Sequence, residues 1–131
     1  MSKVLLADDQ PKILRLLEIP LRAEGHTVLK AQDGEEALRI ARAERPDALI
    51  LDVLMPGLNG LRVLSRLKSD PELAGMPVVM LTAQSDPEDQ RLGLDLGADY
   101  YLCKTFDPRD VTALIRRILR AGASSSCLGR L

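Results

Sequence analysis

Short apolar segments alternate with helical patterns along the whole chain. Segments rich in branched apolar residues predict strands, and there are five of them, at 3–7, 27–30, 48–52, 77–82 and 99–103, each ending at or directly before a polar residue. Between them, apolar residues recur every three or four positions, which predicts helices over 11–24, 35–43, 60–68, from 87 onwards, and over 108–120. Strand and helix thus alternate five times. This order predicts an α/β fold, a parallel sheet with helices on both faces.

Individual residues add expectations about these elements. In the first helix the apolar residues at helical spacing are Ile13, Leu16, Leu17 and Leu21. Pro20 removes one backbone hydrogen bond there, so we expect a kink or an early loosening. Gly93 and Asp95 are poor helix formers and predict a weak fourth helix. His26 follows a glycine and has no partner in the sequence, so we interpret it as an exposed loop residue.

The third strand carries the most informative acid. Ala48 to Leu51 is apolar throughout and predicts a strand that is covered on both faces, with Asp52 at its tip. Because an ionised carboxylate is costly to desolvate, we expect Asp52 to lie outside this burial, where the strand leaves the core. Open α/β sheets place their chemistry at the carboxyl ends of strands.

Polar residues end the other strands as well: Asp8 and Asp9 follow the first, Thr82 ends the fourth and Lys104 follows the fifth. In a parallel sheet these tips share one edge. Three carboxylates together repel one another, which a raised pKa or a hard divalent cation relieves. Mg²⁺ and a lysine could together neutralise a transferring phosphoryl group, with a carboxylate as its nucleophile.

The composition of the chain excludes some classes of binding partner. The 131 residues fit one domain, and a formal net charge of -1 with 2% aromatic residues gives no support for a nucleic-acid or membrane-surface partner. The chain shows no membrane-spanning run or signal peptide. Cys103 and Cys127 match no metal-ligand spacing, so we interpret both as reduced thiols in a cytoplasmic protein.

Several motifs together resemble the receiver domain of bacterial two-component response regulators, from Lys3 to about Arg120. They are Leu5-Leu6-Ala7-Asp8-Asp9, Ala31-Gln32-Asp33-Gly34-Glu35-Glu36-Ala37-Leu38, residues 47–56, Asn59-Gly60, residues 77–83, and Gly97-Ala98-Asp99-Tyr100-Tyr101-Leu102-Cys103-Lys104. The resemblance implies a doubly wound, flavodoxin-like three-layer sandwich of five helices around a five-stranded parallel sheet in the order 2-1-3-4-5. We expect a receiver domain over 1–121 and a tail or linker stub over 122–131.

The resemblance also implies a role for each site residue. Asp52 would accept a phosphoryl group and become 4-aspartylphosphate. Asp9, Asp52 and the backbone carbonyl of Leu54 would ligate Mg²⁺, with Asp8 reaching the ion through water. Thr82 and Lys104 would contact the phosphoryl oxygens, and Tyr101 would follow Thr82 inward as a rotamer switch.

By the same resemblance the chain is a signalling switch that catalyses only its own phosphorylation and slow dephosphorylation. Leu54 and Gln84 flank the site where the family tunes that loss. The phosphodonor would be a sensor histidine kinase or phosphotransfer protein, and the output a downstream protein or a further domain. A dimer through the fourth helix, fifth strand and last helix is possible. We expect no direct nucleic-acid or membrane contact.

One position departs from the family pattern. Receiver domains usually have a proline after the lysine, joined by a cis bond, whereas here Thr105 follows Lys104. A cis bond before a residue other than proline costs ~2.5–4 kcal/mol. We therefore predict a trans Lys104–Thr105 bond, or a strained cis one.

Other interpretations remain open from the residues alone. Asp8 and Asp9 could cap the first helix, and Lys104 could be a solvated surface charge. A degenerate receiver would serve only as an unphosphorylated docking module. A phosphatase with an aspartyl nucleophile would show an Asp-x-Asp pair on the first strand, where this chain has adjacent acids. A flavodoxin-like cofactor binder would need a phosphate-binding loop after that strand.

Overall fold

The computed structural model describes residues 2–53, 60–82, 91, 97–103 and 107–121. Its elements in chain order are β1 Lys3–Ala7, α1 Pro11–Ala23, β2 Thr27–Ala31, α2 Gly34–Glu44, β3 Ala48–Asp52, α3 Gly60–Ser69, β4 Val78–Thr82, β5 Tyr100–Cys103 and α4 Pro108–Ala121. These bounds confirm all five predicted strands and four of the five predicted helices to within a residue or two. The helix predicted from Pro87, with Gly93 and Asp95, falls almost wholly outside the described residues.

All five strands are parallel, in the order β2-β1-β3-β4-β5. Successive side chains along each strand point to opposite faces of the sheet and belong to two separate hydrophobic clusters. One contains Leu5, Leu49 and Met80 with residues of α2 and α3. The other contains Leu6, Ile50 and Leu81 with residues of α1 and α4. The described chain is therefore a doubly wound three-layer sandwich, as predicted, with β3 buried along its whole length.

Local sequence signals account for the helix starts. Pro11 opens α1, where its missing N–H leaves no bond unmade. Asp33 caps α2 by accepting a hydrogen bond from the Glu36 amide at 2.8 Å, and Glu36 in turn accepts from the Gln32 amide at 2.8 Å. The first bond is the cap interaction of a capping box, whereas the second reaches the residue before the cap and so ties the preceding segment to the first turn of α2.

The structure adds detail to α1 and corrects a prediction about the residues after it. The helix continues for three residues beyond Pro20, so the early loosening considered there does not occur, and a kink stays a prediction. Leu16 lies on the outer surface with 47% of its area exposed, because the inward face is formed by Leu14, Leu17 and Leu21. His26 is half-buried rather than exposed, and its Nε2 is buried without a hydrogen-bond partner among the described residues.

In the described part of the chain, no helix is both long and apolar enough to cross a membrane.

Candidate phosphoacceptor and metal site

Strand register brings two of the predicted acids together. Ala7 on β1 lies beside Leu51 on β3, so the next residue of each strand, Asp8 and Asp52, share the carboxyl edge of the sheet. Asp9 completes the group, and one carboxylate oxygen from each of the three acids lies within 4.8 Å of the others. The predicted convergence of Asp8, Asp9 and Asp52 is confirmed.

Burial of the acids differs from the prediction. Asp52 is the last residue of β3 but is only 1% exposed, and Asp8 is 2% exposed, whereas Asp9 is open to solvent. The expectation that Asp52 lies outside the burial was therefore wrong. The sheet continues around it, because the amide of the following residue, Val53, donates to the Leu81 carbonyl at 2.9 Å.

Asp8 is held by the start of α1 and does not cap it with a side chain. Its Oδ1 accepts a hydrogen bond from the Gln10 amide at 2.9 Å. Gln10 itself occupies the N-cap position and makes no side-chain capping bond. The simple capping interpretation of Asp8 and Asp9 thus gives way to an arrangement that turns both acids toward β3.

The chemistry of this group suits a hard divalent cation. Carboxylate oxygens are the ligands that Mg²⁺ and Ca²⁺ prefer, and Mg²⁺ is commonly held by one or two carboxylates with water and phosphate completing its shell. Two buried like charges and a third beside them are costly without a cation. The acids present therefore fit a divalent metal, with exposed Asp9 on the solvent side.

Gly60 contributes to the site in a way that the sequence alone did not show. Its amide donates to the Val53 carbonyl at 2.8 Å, which ties the first residue of α3 to the residue after Asp52. A Cβ at this position would overlap the backbone carbonyl oxygen of Asp52. The only signal in the sequence is the Asn59-Gly60 pair, which is typical of a turn but does not indicate this close approach.

The remaining predicted residues are described to different extents. The register pairs Asp52 with Leu81 and Thr82 with Cys103, so the backbone of Thr82 ends β4 at the same edge as the acids. Tyr101 lies on β5 beside Met80, half-buried against the cluster that α2 and α3 form. Leu54, Gln84, Lys104 and the Lys104–Thr105 bond lie outside the described residues.

A doubly wound parallel sheet with an acid cluster at the carboxyl end of its central strand defines a class of α/β proteins that bind ligands at this edge. Known proteins identify the class more closely. The model of the response regulator receiver domain family matches residues 4–116.

Among curated proteins, the alkaline phosphatase synthesis transcriptional regulatory protein PhoP of Bacillus subtilis is 44% identical over 119 residues, which are 91% of this chain and 49% of PhoP. The DNA-binding response regulator MtrA of Mycolicibacterium smegmatis is 42% identical over 119 residues, 91% of this chain and 51% of MtrA. The chain thus spans about half the length of these two relatives. Chemotaxis response regulator CheY4 of Vibrio cholerae has a solved structure that superposes with a TM-score of 0.84 at 33% identity, covering 90% of this chain and 98% of that one.

This chain belongs to the response regulator receiver domain family, as the resemblance in its motifs implied. It is a phosphoacceptor signalling domain of the two-component type. The rival interpretations as a phosphatase or a cofactor-binding flavodoxin are not supported, and the degenerate docking module is not favoured.

Proposed function

We propose that Asp52 is the phosphoacceptor and that the acid cluster holds Mg²⁺ during the transfer. The observation that carries this proposal is the convergence of Asp8, Asp9 and Asp52, with Asp52 fixed by β3 at the centre of the carboxyl edge. An Asp52 oxygen attacks the phosphorus as the bond from phosphorus to the donor's leaving group breaks, which yields an acyl phosphate. A bound Mg²⁺ would supply positive charge to the phosphoryl oxygens.

Each neighbouring residue has a separate task in this proposal. Asp9, Asp52 and the backbone carbonyl of Leu54 would ligate the ion, and Asp8, oriented by the Gln10 amide, would hold one of its waters. Thr82 and Lys104 would contact the phosphoryl oxygens, and Tyr101 would move with Thr82. Attack of water on the phosphorus would later regenerate the Asp52 carboxylate. Leu54 and Gln84 would influence the rate of this hydrolysis. The net products of this self-catalysed cycle are the dephosphorylated donor and inorganic phosphate.

Asp9 offers a direct test of the metal. Changing Asp9 to asparagine removes one charge from the only solvent-exposed acid of the cluster, so the Mg²⁺ concentration needed for half-maximal labelling by acetyl phosphate should rise by at least about tenfold. Asp110→Asn removes one carboxylate from the exposed surface of α4 and should leave that concentration unchanged. Equal Mg²⁺ requirements in the parent and Asp9→Asn would show that Asp9 is not a ligand.

The outer face of α1 supports a protein as the phosphodonor, a sensor histidine kinase or phosphotransfer protein. Leu16 is 47% exposed and Ile19 is 64% exposed, and they are the exposed large hydrophobic residues of the described chain. They lie on the helix that begins two residues after Asp9. Glu18, on the same helix, is paired with Lys30 and Arg22, which lower its pKa, so its charge is matched by neighbouring cations.

Replacing Ile19 with lysine should therefore slow transfer from a phosphorylated histidine phosphotransfer domain by about tenfold or more, since exposed apolar anchors contribute strongly to interfaces. The donor for the assay is whichever domain of a test panel labels the parent. Labelling by acetyl phosphate, which needs no docking, should stay at the parent rate. Ala113→Lys, on the exposed face of α4, is the matched control. An equal slowing in both assays would place the defect in the acid site instead.

The output is proposed to be a downstream protein or a further domain. PhoP and MtrA carry names that refer to transcription and DNA, and each is about twice as long as the matched region. For this chain a net charge of -1 gives no support for direct nucleic-acid binding. We also propose a cytoplasmic location. A dimer would form through the helix predicted from residue 87 together with β5 and α4.

A further inference from the structure

The outer face of α4 carries an open concavity of about 400 Å³ that is lined by one small residue and three cations. The lining residues, which form the basic face of α4, are Ala113, Arg116, Arg117 and Arg120, and all four are exposed. Residues spaced by three, four and seven positions lie on one side of a helix. Because Ala113 has only a methyl group, it leaves space beside the guanidinium groups.

The basic face lies away from the acid cluster. The last turns of α4 reach the amino end of the sheet, because Leu119 lines a cavity with Asp99, the residue directly before β5. The three acids lie at the opposite, carboxyl edge of the same sheet. Binding at the basic face can therefore be measured without phosphorylation, and it does not depend on the role proposed for Asp52.

Arg116 is the one arginine of the basic face that is paired within the described chain. Its guanidinium donates to both carboxylate oxygens of Glu24, which follows α1, with the Nε bond at 3.2 Å. No carboxylate of the described residues forms an ion pair with Arg117 or Arg120. The helix dipole favours a cation in the last turn, which accounts for Arg120 alone.

These cations repel one another, because like charges three or four residues apart in a helix destabilise it. An anionic partner removes that repulsion. Arginine is also one of the residues that contribute most at protein interfaces, since its planar guanidinium binds a carboxylate through two parallel hydrogen bonds. Arg117 and Arg120 therefore offer two guanidinium groups that the described residues leave open.

The charge of the rest of the chain narrows the class of anion. All 19 acids precede residue 111, whereas residues 111–131 contain four arginines and no acid. A long polyanion such as DNA, or an anionic membrane surface, would extend beyond the basic face and meet this excess of negative charge. A short acidic segment of a protein would contact the basic face alone.

The spacing of the arginines indicates the spacing of the acids. Arg117 and Arg120 lie three residues apart, which is ~4.5 Å along the helix axis. Two carboxylates three or four residues apart on a partner helix have a matching separation. A small apolar residue between them would cover the methyl group of Ala113.

We propose that the basic face of α4 binds an acidic helical segment of a partner protein, whose carboxylates pair with Arg117 and Arg120 across the concavity beside Ala113. Glu24 holds Arg116 in the free protein and limits the site to two open guanidinium groups. The surface thus adds a protein-binding site at the end of the molecule opposite the phosphoacceptor.

A labelled peptide tests this proposal on the full chain. The probe is an alanine-rich fluorescein peptide of about 15 residues with glutamates one helical turn apart, and fluorescence anisotropy at low salt measures its binding. Arg117→Gln/Arg120→Gln should weaken binding by about tenfold, since each exposed ion pair contributes up to about fivefold. Arg15→Gln/Arg66→Gln, which removes two exposed arginines from other helices, should change it by less than about twofold.

Two further variants separate the basic face from a general effect of charge. Ala113→Glu places a carboxylate one turn before Arg117, in the order that stabilises a helix, so it should weaken binding by about fivefold while the protein stays folded. Glu24→Gln releases Arg116 and should tighten binding by about threefold. Glu35→Gln, which removes an exposed acid from α2, should leave binding unchanged.

Equal peptide binding by the parent and Arg117→Gln/Arg120→Gln would overturn the proposal. So would binding that rises as much in Glu35→Gln as in Glu24→Gln, because the peptide would then respond to net charge and not to this face. Tighter binding of a DNA duplex or of phosphatidylglycerol vesicles, dependent on the same two arginines, would show that the face recognises phosphates and that the assignment to an acidic protein segment is wrong.

Discussion

Changing Asp52 to asparagine should make the metal-free protein more stable while it abolishes phosphorylation. Asp52 is 1% exposed, and its carboxylate lies within 4.8 Å of those of Asp8 and Asp9. At an effective dielectric constant near 20, each such repulsion amounts to a few kcal/mol before screening, so removing two of them should raise the free energy of unfolding by about 1–3 kcal/mol. Asparagine has nearly the same volume and leaves no cavity.

Urea denaturation with and without Mg²⁺ measures this effect. The ion binds the folded parent and stabilises it by mass action, whereas the variant lacks one ligand, so the difference in stability should shrink or reverse as Mg²⁺ is added. Asp110→Asn, which changes an exposed acid on α4, should alter neither curve. A destabilised Asp52→Asn in the absence of metal would show that repulsion among the three acids does not outweigh the other interactions of the Asp52 carboxylate.

Gly60→Ala should have the largest effect on stability of any single methyl group added near the site. The new Cβ overlaps the Asp52 carbonyl oxygen, and both are held by backbone, so no rotamer change can relieve the contact. Alanine is better than glycine in a helix by up to ~1 kcal/mol, but forced overlap in a packed region costs about 1–3 kcal/mol or more. We expect a net loss of about 2 kcal/mol in the free energy of unfolding, together with slower phosphorylation.

Gly75→Ala is the matched control, because a Cβ there meets nothing within 4 Å. Its unfolding free energy should stay within about 0.5 kcal/mol of the parent value, as for most surface substitutions. If both glycine variants lose the same stability, the contact between Gly60 and β3 is not what fixes the site. If Gly60→Ala is stable but still phosphorylated slowly, the contact positions Asp52 without holding the fold together.

The periodic patterns of the sequence were sufficient for the sheet and for most helices. An apolar segment such as 48–51 is typical of a central parallel strand, which is buried on both faces. Pro11 and Asp33 lie at helix starts, where proline and aspartate are favoured. The convergence of Asp8, Asp9 and Asp52 followed from the rule that parallel strands share one carboxyl edge. These features depend on residues close in the chain or on topology alone.

Features that depend on tertiary contacts did not follow from the pattern. Leu16 fits a helical apolar series but lies outside the inward face that Leu14, Leu17 and Leu21 define. The burial of Asp52 depends on the neighbouring backbone of β4, and the role of Gly60 depends on the approach of α3 to β3. Such contacts join residues on different elements, and no local spacing encodes them.

The most direct test of phosphorylation at Asp52 is the intact mass of the protein after incubation with acetyl phosphate and Mg²⁺. The parent should gain one phosphoryl adduct of about 80 Da, the size expected when a carboxylate becomes an acyl phosphate. Asp52→Asn should gain none, and chelation of Mg²⁺ should prevent the adduct on the parent. A folded parent that stays unmodified, or an adduct that persists in Asp52→Asn, would contradict the assignment of Asp52 as the phosphoacceptor.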